Sequence, residues 1–344
     1  MFSRPASPFP RPLALSRWLT FVAALIFVMV VVGGITRLTE SGLSITRWEP
    51  ISGALPPIGD VAWQAAFDQY KASPQYQLVN TGMTLADFKG IFFWEYVHRL
   101  LGRLIGLAFA APLLFFWWRR AIPAGYGWKL GAILAMGALQ GAIGWWMVAS
   151  GLVDRPEVSH IRLAIHLLTA LLIFAATLWV AADLKLLARD PGALPARMPL
   201  LGIWLLCLLF LQYMFGAYMA GLDAGYAFNS WPLMGDEIFP SATQWMRPLI
   251  RNFADNPVVV QFVHRWLAFA VAGLAIWLGT RAWRRGFWEE GALLIGAVSA
   301  QVLLGILTIL SGVEIDIAVA HQAMAVLLLG AAVTAIHRLG ERAA

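Results

Sequence analysis

Six histidines occur in the sequence, at positions 98, 160, 166, 264, 321 and 337, and four of them recur in matched surroundings. Glu95-Tyr96-Val97-His98-Arg99 in the first half corresponds to Gln261-Phe262-Val263-His264-Arg265 in the second, and His166 corresponds to His321. A neutral imidazole is a metal ligand, and near neutral pH it is also an acid–base group. Arg99 and Arg265 each follow one of these histidines, and Arg162 lies one turn before His166. A guanidinium fork of this kind can hold a carboxylate through two hydrogen bonds. One position breaks the match. Glu95 stands three residues before His98, on the same helix face and one turn away, whereas its counterpart is Gln261. Glutamate can exchange a proton or place a negative charge beside a reacting atom, and glutamine can only form hydrogen bonds. The first half therefore reads as a reactive site and the second as a holding site.

The elements that carry these residues belong to a membrane. Hydrophobic residues make up 60% of the 344-residue chain and charged residues 13%, with a mean hydropathy of +0.70. A soluble domain carries about 25% charged residues. The 17 tryptophans suit two membrane–water interfaces, where an indole is half apolar and half wet. A single cysteine, Cys207, leaves no internal disulfide and no cysteine-cluster metal site. A bilayer-spanning helix needs about 20 apolar residues, and eight segments qualify: 17–36, 91–117, 128–150, 160–183, 199–221, 258–279, 288–311 and 317–338. The first is expected to be a retained anchor, because its apolar run is long and no small-residue cleavage site follows. The leader before it, with Pro5, Pro8, Pro10 and Pro12, is expected to be disordered.

Charge sorts the connections between spans. If the N-terminus is cytoplasmic, the inner segments hold 14 of the 25 Lys and Arg residues and 5 of the 19 acids. The positive-inside rule then places both termini inside. The net charge of +6 is thereby a topology signal and gives no reason to expect a nucleic-acid partner. The two long outer loops, 37–90 and 222–257, contain Trp48, Pro56, Pro57 and Trp63, and Trp231, Pro232 and Pro240. Both are expected to fold over the outer face, since long ordered loops usually have a function.

The repeat extends beyond the histidines. Gln140, Gly144, Ser150 and Gly151 match Gln301, Gly305, Ser311 and Gly312 at identical spacing. Glu40-Ser41-Gly42 matches Asp223-Ala224-Gly225, each followed six residues later by Trp48 or Trp231. Four spans per unit insert both halves in the same orientation. The expected fold is therefore all-α and polytopic: two parallel-repeated four-helix bundles, 1–190 and 191–344, related about an axis along the membrane normal. Gly144, Ser150, Gly305 and Ser311 are assigned to helix packing.

His98, His166, His264 and His321 then share one depth, about a turn or more inside the outer ends of the even-numbered spans. His337 is assigned to the inner interface, and His160 is set aside for lack of a counterpart. A lone buried histidine is usually a hydrogen-bonded packing residue, but four at one depth, two per repeat, favour function. Facing histidines in a four-helix bundle suit axial ligation of a haem iron, whereas zinc would need three or four ligands per site. The arginines would pair with haem propionates, the alternative being cations that snorkel to the interface.

With these residues assembled, the chain resembles the haem A synthase family, in particular its alphaproteobacterial and mitochondrial branch. The resemblance rests on Gly33-Gly34-Ile35-Thr36-Arg37-Leu38-Thr39-Glu40-Ser41-Gly42-Leu43-Ser44, with Trp48-Glu49-Pro50 and Pro56-Pro57. It rests also on Glu95–Arg99, on Arg162-Leu163-Ala164-Ile165-His166 and on Ala320-His321-Gln322, and it spans nearly all eight helices. The cysteine pair that some bacterial members carry in the first outer loop is absent, so no thiol redox step is expected.

The resemblance implies oxidation of the C8 methyl of haem O to the formyl of haem A, for delivery to terminal cytochrome oxidase. It implies a resident haem b on His264 and His321, and substrate haem O between His98 and His166 with Glu95 near its reactive edge. It implies partners among haem O synthase and cytochrome oxidase assembly factors, leaves an oligomer open, and places the chain in a bacterial inner membrane in preference to a mitochondrial one.

Two rivals remain from the residues alone. A di-haem b-type cytochrome for quinol-linked electron transfer needs the same four histidines, although a one-sided Glu95 favours an enzyme. A proton-coupled transporter fits less well, since the ionisable residues cluster in the outer third and no span is expected to carry a deep charge pair. The topology has a direct measurement. A reporter fused after Ala344 is expected to read cytoplasmic and one inserted near Pro74 periplasmic, and the reverse would overturn the common depth of the four histidines.

Overall fold

A computed structural model describes residues 10–49, 52–153 and 155–341. Its helices are α1 (Pro12–Leu38), α2 (Asp60–Lys71), α3 (Pro74–Leu78), α4 (Leu85–Trp118), α5 (Gly127–Ala149) and α6 (His160–Arg189). They continue with α7 (Leu200–Gly221), α8 (Asn252–Asp255), α9 (Pro257–Arg284), α10 (Trp288–Leu310) and α11 (Ile315–Gly340). Eight of these, all except α2, α3 and α8, are long and apolar enough to cross a membrane. Among the described residues no sheet forms. The chain is an all-helical, multi-pass membrane protein.

The expected spans fall within these helices except that 128–150, 199–221 and 288–311 each overrun one end by a single residue, and the larger differences at α1 and α4 have local causes. Helix α4 starts at Leu85 instead of 91 because Thr84 and Asp87 form a capping box that satisfies the first free N–H groups. Helix α1 starts at Pro12, where proline suits the first helical position. The Arg11 N–H also donates to the Ala121 carbonyl at 2.9 Å. Pro12 is therefore helical and not part of a disordered leader; Pro5 and Pro8 lie outside the described residues, as does Pro50.

Within the first half, α1 packs on α4 and α6, and α5 packs on α4 and α6. The helices α7, α9, α10 and α11 neighbour one another in the same cyclic order, and the halves meet through α6 with α7, α1 with α11, and α6 with α11. Leu15, Leu19 and Val22 of α1 join Leu171 and Leu184 of α6, Leu205 and Leu209 of α7, and Leu328 and Ile336 of α11 in one continuous core. The matched turns after α1 and α7 share a backbone feature, with Glu40 at φ 52° and Asp223 at φ 50°. The seams differ. Gly279 and Gly291 bring α9 and α10 so close that a Cβ on Gly291 would lie 2.5 Å from the Gly279 carbonyl oxygen, whereas Gly131, Gly137 and Gly141 of α5 meet nothing within 4 Å.

The first outer loop is folded. Phe67 and Tyr70 of α2 pack on Phe88 and Phe92 of α4, with Trp63 and Tyr76 around them. The end of the bundle that carries both described termini corrects two sequence expectations. His337 is not an interfacial residue but is buried, with its Nε2 2.9 Å from Asp183 Oδ1. Lys129 donates to Asp183 Oδ2 at 3.3 Å, and the Ala196 N–H donates to Asp183 Oδ1 at 3.0 Å. A buried charge cluster does therefore exist, at the ends of α6 and α11. The sequence hid it because Asp183, Lys129 and His337 come from three distant segments. Removing one partner of a buried pair costs about 3–5 kcal/mol. Asp183→Ala is expected to lower the melting temperature in detergent markedly, and Lys129→Ala less, since the lysine side chain is 22% exposed; a thermal melt of each purified variant checks the order.

Candidate functional site

The four repeated histidines come in pairs from helices on opposite sides of each ring: His98 on α4 with His166 on α6, and His264 on α9 with His321 on α11. Helix order makes each pair face across a bundle interior. Glycines on the intervening helices make room for the rings. A Cβ on Gly144 would lie 2.9 Å from His166 Cε1, one on Gly305 3.0 Å from His321 Cε1, and one on Gly216 3.2 Å from His264 Cε1. Gly144 and Gly305, assigned above to helix packing, thus make space for imidazoles. Ser150 instead caps a turn, with its Oγ accepting from the Ser159 N–H at 2.8 Å.

Three of the four rings are gripped by glutamine. Gln140 Nε2 donates to His166 Nδ1 at 3.1 Å and to the His166 carbonyl at 2.9 Å. Gln212 Nε2 does the same to His264, at 3.1 and 3.0 Å. Gln301 Nε2 reaches His321 Nδ1 at 3.2 Å. The sequence exposed the Gln140/Gln301 repeat but not its purpose, and Gln212 was missed because its counterpart in α1 is not a glutamine. A partner on the second ring nitrogen is the usual means by which a protein orients a ligating imidazole.

Glu95 is buried and fully engaged. Its Oε1 accepts from Arg99 Nε at 3.0 Å and Nη2 at 2.6 Å, and its Oε2 accepts from Ser44 Oγ at 2.6 Å and the Ile45 N–H at 2.7 Å. All these partners are donors, which suits a carboxylate anion. The sequence placed Glu95 beside His98 but gave no sign that the first outer loop would hold it; Ser44 was visible only as the last residue of the loop motif.

Arg99 and Arg265 clasp the two outer loops in register. Arg99 donates to the carbonyls of Ile45 (2.7 Å) and Arg47 (2.9 Å). Arg265 donates to the matching carbonyls of Phe228 (2.9 Å) and Ser230 (2.9 Å). Gln261 Nε2 donates to the Phe228 carbonyl at 2.8 Å. Where the first half sets a charge, the second closes the same contact with a neutral amide. Arg162 donates to the Trp146 carbonyl at 2.8 Å and stacks over the Trp146 ring at 4.6 Å. It lies with Arg155, Ser150 and Ser159 on an open cavity of about 400 Å³. His160 joins neither pair and bonds Asp255 at 3.1 Å.

The buried polar atoms without partners gather at these sites. Among the described residues they include Oε1 of Gln140, Gln212, Gln261 and Gln301, and Nε of Arg265. Each orphan costs about 1–3 kcal/mol, so such clustering points to groups completed by a ligand. Two opposed imidazoles, glycine-cleared space and second-nitrogen partners fit an iron porphyrin. An imidazole bound to iron through Nε2 would carry its proton on Nδ1; Gln301, whose Nε2 is not also committed to a backbone carbonyl, could receive that proton on its orphaned Oε1 after a half-turn of the amide.

Comparison with known proteins shows the family. The family model for the cytochrome oxidase assembly protein, COX15-CtaA, matches residues 16–333. The Heme A synthase of Rhizorhabdus wittichii is 55% identical over 341 residues, 99% of this chain and 98% of that protein. The chain belongs to the haem A synthase family. The Heme A synthases of Sphingopyxis alaskensis, 52% identical over 97% of this chain and 94% of that one, and of Novosphingobium aromaticivorans, 47% identical over 98% and 99%, extend the likeness across the whole molecule. The repeat, the histidine pairs and the loop clasps are thus features of a haem A synthase family member.

Proposed function

We propose that this chain is a haem A synthase that oxidises the C8 methyl of haem O to a formyl group in a bacterial inner membrane, supplying haem A to terminal oxidase. The observation that carries the reading is the one-sided charge. Two sites built alike, with loop clasps in register, differ in Glu95 against Gln261, and a relay without chemistry has no need of that difference.

Substrate haem O lies between His98 and His166. His264 and His321 would hold a haem b, which would supply a one-electron redox relay beside the substrate site. Arg162, which spends Nη1 on the Trp146 carbonyl but lies on the open cavity, is the foremost partner for a substrate propionate; Arg265, through its unpartnered Nε, serves one on the haem b side. Arg99 is committed chiefly to Glu95 and the loop. Each of two successive hydroxylations of the methyl adds one oxygen from water and releases two protons and two electrons. The four electrons pass on to an external one-electron acceptor, and the geminal diol then loses water to the aldehyde.

Glu95 acts by holding a fixed anion near the reacting edge. Four donors occupy its oxygens, which favours charge stabilisation of an electron-poor carbon over proton abstraction. The outer loop, pinned by Ser44 and Ile45, keeps bulk water from that charge and so strengthens its field. His98 and His166 orient the substrate.

Acid–acetone extraction and mass analysis of the bound pigment test the reading. Haem B together with haem O or haem A is the expected result, and haem B alone would favour the di-haem cytochrome. His264→Ala is expected to lose the low-spin haem b signature. Glu95→Gln is expected to retain haem O but to form haem A about 10²–10⁴-fold more slowly, with Gln261→Glu comparatively mild. Haem A production at the wild-type rate by Glu95→Gln would make the carboxylate structural.

A further inference from the structure

One imidazole of the four lacks the support the others have. Gln140, Gln212 and Gln301 hold His166, His264 and His321, but no side chain among the described residues hydrogen-bonds the ring of His98. In the repeat, Gly33 of α1 stands where Gly216 stands in α7, and four residues earlier the place of Gln212 is taken by Met29. Met29 also reaches α4. Its methyl Cε lies 3.3 Å from where a Cβ on Gly102 would be, one helical turn below His98, and Gly33, one turn above Met29, faces the His98 ring. A thioether has no N–H to give and is at best a weak acceptor.

The ring itself is turned differently. His264 shows its Cε1–Nδ1 edge to Gly216, and His166 and His321 present Cε1 nearest to Gly144 and Gly305. His98 presents Nε2 and Cδ2 to Gly33, 3.3 and 3.5 Å from where a Cβ on that glycine would be. No side-chain hydrogen bond among the described residues holds Nδ1, so packing alone sets the rotation of this ring.

We infer that Met29, in place of a glutamine, makes His98 the releasable axial ligand of the substrate haem, while glutamine-held His166 is the fixed one. This rests on the reading that haem O occupies the first bundle. In the release, the bond between iron and His98 Nε2 breaks, its electron pair stays on the imidazole, and no electron is transferred. Met29 is thereby a positioning residue by default: it withholds the grip that would keep His98 in place. In the second bundle Gln212 keeps His264 in place, as a resident redox group requires.

Carbon monoxide, which binds ferrous haem only at a free or vacated axial position, reads this difference without turnover. In reduced protein purified with haem O and haem B, CO is expected to bind the haem of the first bundle and not that of the second. Second-nitrogen partners change metal-site affinity by about 10–100-fold. Met29→Gln is therefore expected to weaken CO binding by that factor, and Gln212→Met to let CO bind the second haem. Met29→Leu, apolar like the wild type, should leave CO binding unaltered; a change there would mean that the thioether itself engages the site, and would overturn the inference. Equal CO affinity in wild type, Met29→Gln and Gln212→Met, with both haems present by pyridine haemochrome, overturns it as well and leaves the assigned function standing. If His98→Ala and His166→Ala do not alter haem content, the first bundle holds no haem, and both the function and this inference fall.

Discussion

An imidazole inside a bilayer has two nitrogens and no water to satisfy them. Each repeated histidine within a span needs space for its ring, and three of the four, His166, His264 and His321, find a partner for Nδ1 on a neighbouring helix. That need accounts for much of the interior. Gly144, Gly216 and Gly305 exist as gaps beside rings, and Gln140, Gln212 and Gln301 reach Nδ1 across helix boundaries. Helix order, short inner connections and the cyclic arrangement of each half serve to bring these groups to one level. Burying the same helices without the glutamines would leave polar nitrogens in hydrocarbon, a cost of several kcal/mol for each unsatisfied group.

Duplication supplied two such interiors, and the differences between them are small in sequence and large in chemistry. Glu95 and Gln261 occupy the same place and touch the same residue of their loops, Ile45 and Phe228, but in opposite senses: the acid accepts from an N–H and the amide donates to a carbonyl. The arginines that follow hold matching carbonyls in both halves. A scaffold so nearly repeated isolates the effect of each exchanged side chain, which is why a single carboxylate carries much of the functional argument.

The spans, the repeat and the histidine pairs were legible in the sequence because they depend on local hydropathy and on spacing within one helix. Glu95 was legible for the same reason, being one turn from His98. What connects segments far apart was not. Ser44 and Ile45 reach Glu95 across about fifty residues, and Asp183 meets His337 across 154. No pattern of period 3.6 encodes such meetings. His337 looked like an ordinary helix-end residue beside Arg338, and only the packing of α6 against α11 buries it. Gln212 was hidden because its repeat partner is Met29, so a search for identity passed over the one position where the exchange matters.

The order of Ser44, Ile45 and Glu95 along the chain bears on how the protein is assembled. Ser44 and Ile45 leave the ribosome before Glu95 does, and the loop that holds them reaches the far side of the membrane while α4 is still being made. Glu95 carries Arg99 four residues behind it, as an intrahelical ion pair at 2.6 Å, so acid and base can cross the hydrocarbon as a neutral couple. In the folded protein the carboxylate is met by donors from a segment made before it. A permuted chain with α4 synthesised ahead of its loop would make that acid before the two donors that hold its Oε2.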